Sequence, residues 1–330
     1  MKIDLIIPCY KAHSTLIRCL CSIASQTIKD DIVVTLVNDA DGTNYEEYTN
    51  KFKGILDIEV LNLEKNGGPG DARQWGIEHT NNPLLMFMDA DDTFASPYSA
   101  ETLRDAIVKE DTNVVINSTF LEEQGGIFLP HEKDMVWMFG KIYRRSFIDK
   151  YGIHFQKGQR CNEDMAFNKQ CIFFSNDKEQ IKSMPNITYY WMEKKDSITR
   201  INDYEYYYKY SFWSMLDGWI YSVKYALSKG ADKEKIETFI KDSIGTAYAY
   251  YIQIEERRPE FIEKAWEYCV KYYKEVFSIV RDKITLKEFC NSYEKAMRNA
   301  FTAKKMFDCM PNTSFREFVR KLDKELDKSN

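Results

Sequence analysis

The residues best suited to chemistry in this chain are acids that follow apolar runs. Phe87-Met88 leads into Asp89-Ala90-Asp91-Asp92. Three carboxylates this close repel one another unless positive charge lies between them. A hard divalent cation with oxygen ligands, itself holding a substrate diphosphate, resolves that repulsion. A solvated helix N-cap ahead of Pro97 is the plainer alternative. The second acidic group is Asn162-Glu163-Asp164. It suits helix capping, and equally a carboxylate general base for a hydroxyl acceptor. Asn66-Gly67-Gly68-Pro69-Gly70-Asp71-Ala72-Arg73 lets backbone pass close to a ligand, with Arg73 placed to meet a phosphate or a base carbonyl. The segment is neither a dinucleotide fingerprint nor a P-loop, and a plain β-to-α turn also accounts for it. Tyr189-Tyr190-Trp191 and Ser197-Ile198-Thr199-Arg200 offer an aromatic edge for a sugar and an Arg for phosphate; core packing explains the aromatics equally well.

These groups sit at the ends of elements that apolar periodicity predicts. Residues 2–8, 31–38, 55–63 and 84–88 read as buried strands. Residues 14–26, with Ser14 as N-cap, and 71–79 read as helices. Continuous apolar strands alternating with helices imply a mainly parallel α/β sheet. In such sheets ligands bind outside the carboxyl ends of the strands, and those ends are rich here in Asp, Asn and Gly. From residue 204 the pattern becomes helical, with candidates at 204–228, 233–257, 260–281, 285–306 and 313–328. Fourteen of the 22 tyrosines lie beyond residue 203. The expected division is therefore an α/β domain over 1–203 and a helical domain over 204–330. The Tyr-rich run 204–210 suits an acceptor platform, a homo-oligomer surface or core packing.

Composition narrows the function classes. The chain has 330 residues, 44% hydrophobic and 29% charged, which excludes a disordered chain or a disulfide miniprotein. A net charge of −5 gives no global field for nucleic acid or anionic lipid. Residues 201–330 carry 23 Lys and Arg against 21 Asp and Glu, so the negative charge belongs to the first part. The eight cysteines form no CxxC pair and read as buried thiols in a reducing compartment. Asp4 and Pro8 break the opening apolar run, and no stretch nears the length of a transmembrane helix. The expectation is a cytoplasmic protein, soluble or peripheral at a membrane.

Taken in order, the motifs resemble family 2 glycosyltransferases of the GT-A fold over about residues 1–200. The family's Pro-x-Tyr appears as Pro8-Cys9-Tyr10, and its acidic strand end as Asn38-Asp39-Ala40-Asp41-Gly42. Its Asn-x-Gly…Ala-Arg-Asn-x-Gly segment appears as 66–76, its Leu-Asp-x-Asp-Asp as 88–92, and its Glu-Asp pair as Glu163-Asp164. Residues 141–145 and 197–200 look like later segments of the family. Asn38 and Ala40 depart from the usual residues, as does Gln74 where the family has Asn.

The resemblance implies a GT-A, Rossmann-like mixed sheet flanked by helices, with an all-helical C-terminal region outside it. It implies that Pro8 and Tyr10 frame the nucleotide and that Asp39 reads the base edge. Asn66, Gly68 and Arg73 would line the nucleotide pocket. Asp89 and Asp91, with Ala90 between them, would hold the metal and diphosphate, as a DxD motif binding Mn2+ or Mg2+, and Asp92 would neighbour the sugar. Asp164 would be the catalytic base, with Glu163 orienting it. Lys141, Trp191 and Arg200 are further candidates for donor or acceptor contacts. The implied reaction is inverting transfer from a nucleotide-diphosphate sugar, expected to be UDP-linked, to a hydroxyl on a glycan, lipid-linked sugar or protein. A sugar-1-phosphate nucleotidyltransferase and a non-catalytic nucleotide-sugar binding module are the alternatives.

Overall fold

The computed structural model describes residues 1–194, 211–302 and 311–328. The chain divides into two compact units, 1–200 and 201–330. The expected boundary at 203/204, Arg200 and the Tyr-rich run 204–210 lie outside the described residues.

The first unit alternates strands and helices: β1 (Ile3–Cys9), α1 (Leu16–Ala24), β2 (Ile32–Asn38), α2 (Glu46–Lys51), β3 (Asp57–Asn62), α3 (Pro69–His79) and β4 (Leu84–Phe87). It continues with β5 (Thr93–Phe94), α4 (Ser99–Val108), β6 (Asn113–Gln124), β7 (Ile127–His131), β8 (Lys141–Arg144), α5 (Arg145–Tyr151), α6 (Glu163–Phe174) and β9 (Gln180–Trp191). All nine strands form one sheet in the order β3-β2-β1-β4-β8-β6-β9-β5, with β7 paired to β6. The strands β3, β2, β1 and β4 run parallel. Antiparallel β8 then joins β4 to β6, and β9 runs parallel to β6. This is the mixed, mostly parallel GT-A arrangement that the resemblance implied.

At β1, β2 and β4 both faces of the sheet are covered, which is why these strands are mostly apolar. On one face Ile3, Leu5 and Ile7 pack with Leu16, Leu20 and Leu103 of α1 and α4. On the other, Phe87 and Tyr143 meet Phe155 and Phe167 edge to face. Gly76 sets the approach of α3 to the sheet: a Cβ there would stand 2.5 Å from Ile6 Cγ2. That close seating fixes α3, and Arg73 with it, over the carboxyl end of β1.

Two local expectations shift. The first helix begins at Leu16 with Thr15, not Ser14, at the N-cap. The Ala12 carbonyl accepts from both Thr15 and Leu16 N–H, so a backbone turn opens the helix and no side chain caps it. The expected helix 260–281 is α9 (Ile262–Glu275) followed by a separate 3-10 turn, Phe277–Ile279, because Val276 leaves helical geometry at φ −128°.

The second unit contains α7 (Phe212–Ser228), α8 (Lys233–Arg257), α9, α10 (Leu286–Thr302) and α11 (Phe315–Asp327). Asp232 caps α8 and Ser314 caps α11 through their side chains. Tyr248, Tyr272 and Tyr273 are fully buried within this unit. For those three tyrosines core packing holds. No described helix is long and apolar enough to cross a membrane.

Candidate active site

The acidic residues meet at the carboxyl ends of β1, β2 and β4. Met88 N–H still donates to the Ile6 carbonyl, and the chain then turns, with Asp92 N–H donating to the Asp89 carbonyl at 3.0 Å. This turn gathers the carboxylates of Asp89, Asp91 and Asp92 so that one oxygen of each lies within 4.8 Å of the others. Tyr189 of β9 holds the turn: its hydroxyl donates to Asp92 Oδ2 at 2.6 Å and accepts from Asp89 N–H. Met192 N–H donates to Asp92 Oδ1 at 2.8 Å.

The three acids therefore differ in kind. Asp92 is fully buried and both its oxygens are engaged by protein donors, so it shapes the loop instead of lining an open sugar pocket. Burial, with Asp89 and Asp91 beside it, pushes its carboxyl well above the usual carboxylate range. Asp89 and Asp91 keep partly exposed side chains. Burial and the neighbouring Asp89 also raise Asp91, against the pull of Lys194, whose Nζ lies 3.3 Å away. Arg18 donates to the Asp91 carbonyl at 2.5 Å. Lys194 and Arg73 relieve part of the repulsion, and the remaining hard oxygen donors of Asp91 and Asp89 fit a divalent cation such as Mn2+ or Mg2+.

Arg73 joins this group to the second acidic pair. Its Nη2 donates to Asp89 Oδ1 and its Nη1 to Glu163 Oε1, each at 2.7 Å. The side chain is buried, lies over the Phe155 ring, and leaves its Nε without a partner. Burial opposes its charge, yet Asp89, Glu163 and Asp164 outweigh burial and raise its pKa. Expected to line the nucleotide pocket, Arg73 is spent on two carboxylates of the protein.

Glu163 and Asp164 open α6 behind Asn162, which sits in the left-handed region at φ 56°. Asn tolerates that conformation better than most residues. Both acids are buried, and Met165 N–H donates to Asp164 Oδ1 at 2.7 Å. Burial and then Glu163 push the Asp164 carboxyl well up, opposed by Arg73. Both acids stand in the first turn of α6, and no side chain makes the N-cap bond there.

Asp39 follows β2 and ties the glycine loop to the sheet. Its carboxylate accepts from Asn66 Nδ2 at 2.8 Å, Gly67 N–H at 2.7 Å and Gly68 N–H at 2.9 Å. Gly68 adopts φ 90°, open to glycine but strained for other residues. Burial raises the Asp39 carboxyl, and the two loop amides pull it back. Pro8 lies at the end of β1, Tyr10 is half exposed just beyond it, and Ala90 is buried between the acids. Asn38, a departure from the family pattern, bridges Asn62 and the 41–43 turn.

Two further candidates, Trp191 and Lys141, are engaged by the protein itself. Trp191 packs with Trp137 and Phe139, at ring distances of 4.9 and 5.3 Å. Lys141 was expected at a donor or acceptor contact, but its side chain has 0% exposure because β8 is covered on both faces. Sequence reasoning missed Arg18 and Lys194, neither of which stands in a motif; the aromatic run at 189–191 was the one trace of the Tyr189 clamp.

Residues 4–161 match the family described as Glycosyl transferase family 2. Among curated relatives, the poly(ribitol-phosphate) beta-N-acetylglucosaminyltransferase TarS of Staphylococcus aureus is 25% identical over 214 residues, covering 59% of this chain and 36% of that one. Glycosyltransferase GlyA of Streptococcus pneumoniae is 32% identical over 154 residues, covering 46% and 21%. The chain thus spans well under half the length of both. The solved S. aureus TarS 1–349 in complex with UDP-GlcNAc has the same fold, with a TM-score of 0.69 at 16% identity over 93% of each chain. The Pyrobaculum calidifontis mannosyltransferase PcManGT, solved with GDP-Man and Mn2+, gives 0.53 at 10% identity over 99% of this chain and 86% of that one.

Proposed function

The chain belongs, through residues 4–161, to glycosyl transferase family 2, and from that premise we propose that it is an inverting glycosyltransferase acting on a UDP-sugar. The observation that carries the reading is the Arg73 bridge, which puts Asp89 and Glu163 on one guanidinium. That bridge supports a donor-side and an acceptor-side acid serving one reacting centre, as a single displacement requires.

In this reading Pro8, Tyr10, Asp39, Asn66 and Gly68 form the wall for the nucleotide. Asp39 Oδ1, which accepts from Gly67 N–H, keeps a lone pair for a base N–H. Asp91 and Asp89 would hold a divalent cation, which would supply positive charge to a departing diphosphate. Asp92 and Tyr189 keep that loop in shape. Asp164 takes the proton from the acceptor hydroxyl as it attacks the anomeric carbon from the face opposite the diphosphate. Glu163, held by Arg73, fixes the start of α6 so that Asp164 faces the acceptor. The acceptor is a hydroxyl of a glycan, a lipid-linked sugar or a protein. The TarS complex supports UDP-GlcNAc as the first donor to test.

The test is turnover of a panel of nucleotide-diphosphate sugars with and without EDTA, restored by Mn2+ or Mg2+, with product configuration read by NMR. Nucleotide diphosphate release with inverted product is expected. Diphosphate formation from a sugar-1-phosphate and a nucleoside triphosphate would replace the reading with a nucleotidyltransferase. Donor binding without turnover would replace it with a binding module.

A further inference from the structure

Lys141 is a buried cation that the reaction above does not use. Its ammonium donates to the Phe139 carbonyl at 3.3 Å and lies 3.7 Å from Asp134 Oδ1, too far for a tight ion pair. Across the sheet it stands directly opposite Asn117 of β6. The Asn117 amide is fully buried with neither its Nδ2 nor its Oδ1 hydrogen-bonded. A buried lysine without a tight partner is costly to the fold, and such costs concentrate where chemistry requires them.

The helix above supplies the reason. Lys141 and Tyr143 point to the same side of β8, two residues apart. Tyr143 donates to Asn168 Oδ1 of α6 at 2.8 Å. Asp164, Asn168 and Cys171 recur at helical spacing on that face of α6. One turn before the Tyr143–Asn168 contact, Asp164 therefore lies on the face of α6 that Tyr143 meets. The electrostatics agree: Lys141 feels Asp134, Asp164 and Cys171, and Tyr143 feels Cys171, Asp164, Arg73 and Asp134. Asp164 in turn feels Glu163, Arg73 and Asp89.

We propose that Lys141 is the positioning residue for Asp164, a counter-charge beneath α6 that favours the ionised form of the base and its aim at the acceptor hydroxyl. This rests on Asp164 being the base. Arg73 also favours the Asp164 anion, but its guanidinium is shared with Asp89 and Glu163. Lys141 adds a second positive charge within reach of Asp164. Burial, partly offset by Asp134 and Asp164, lowers its own pKa to about 8. The counter-charge is thus present at neutral pH and lost above it, so turnover should carry an alkaline limb near that value.

The experiment measures kcat and donor KM against pH for wild type, Lys141→Met, Asp164→Asn and the double variant, with melting followed in each. In Lys141→Met the acid limb should move up by about one pH unit or more, as loss of a nearby opposite charge dictates. Its alkaline limb should vanish and donor KM should stay within about twofold, a binding change of only about 0.4 kcal/mol. In the Asp164→Asn background, Lys141→Met should cost no further turnover, since the two act as a unit. An unmoved acid limb, or losses that add in the double variant, would overturn the proposal and leave Lys141 a packing residue. If Lys141→Met does not fold, the wild-type profile decides: an alkaline limb with the steep temperature dependence of an amine supports the assignment, and its absence overturns it. A wild type that turns over no donor, or an Asp164→Asn variant that remains active, would instead remove the base assignment beneath it.

Discussion

The two units of this protein bury different things. Among the described residues, the α/β unit encloses Asp4, Asp39, Arg73, Asp92, Glu122, Lys141, Arg145, Glu163 and Asp164. The described residues of the helical unit include no buried charged side chain; their buried polar groups are Ser222, Ser243, Gln253, Ser292 and Thr313 beside tyrosines and aliphatics. Burying charge is expensive unless it is paired, and a fold keeps it where geometry matters more than stability. Some of it is architectural: Arg145 donates to Asp4, Thr80, Asn82 and Ile77 and so pins β1, the end of α3 and α5 together. Most of the remainder surrounds Asp89 and Asp164. The helical unit follows the ordinary rule of apolar packing with satisfied hydroxyls, as in Tyr248 donating to the Thr313 carbonyl.

Breaking the charged centre should show the largest effect. Asp164→Asn should lower turnover by about 10²–10⁴, the usual worth of a positioned base, while calorimetric UDP affinity stays put. Glu163→Gln should cost less. Should Glu163→Gln be the dead variant instead, the roles of the two acids exchange. The same substitution carries a stability signature. Because the folded pKa of Asp164 is raised above its ordinary 3.8, its contribution is full below that value and is lost as pH rises through the folded one. Asp164→Asn escapes that loss, so its urea midpoint should gain on wild type between pH 4 and 8. A constant gap across that range would mean that Asp164 is already ionised in the fold.

Next in size is Arg73→Met, which leaves Asp89 and Glu163 without their shared cation. Unfolding free energy should drop by about 3–5 kcal/mol, the cost of stranding buried charge. A loss below about 1 kcal/mol would make the bridge a surface-type pair. Asp39→Ala should weaken UDP binding by about 1–3 kcal/mol, since both the base edge and the Asn66–Gly68 loop lose their acceptor. Unchanged affinity would take Asp39 out of the pocket. The smallest effect belongs to the other unit. Ser243→Ala removes the partner of the buried Tyr272 hydroxyl and should cost about 1 kcal/mol of stability. Its UDP affinity should match wild type; a change there would end the division between the units.

Much of this was readable from the sequence, because local rules govern it. The four parallel strands and the acids at their ends follow from apolar runs stopped by Asp, Asn and Gly. α8 begins at Lys233, where periodicity places its start. Other features depend on contacts made across the fold. Arg73 and Glu163 are 90 positions apart, and no periodicity announces that one guanidinium will serve two motifs. Residues 141–145 resemble a later family segment, which says nothing of burial; only the packing around β8 makes Lys141 an interior charge. Ala40 sits at φ 52°, where the family pattern favours a smaller residue, and nothing local foretells that an alanine accepts the strain.

The Arg73 bridge bears on how such enzymes can be recombined. A chimaera made by crossing two homologues anywhere between Asp92 and Asn162 would take Arg73 and Asp89 from one parent and Glu163 from the other. The guanidinium must then find its second carboxylate in a foreign α6, at a spacing set by a foreign loop. Donor and acceptor preferences should therefore not be freely interchangeable as sequence blocks, and viable crossovers should favour parents that agree in the seating of α3 against β1 and in the turn at Asn162.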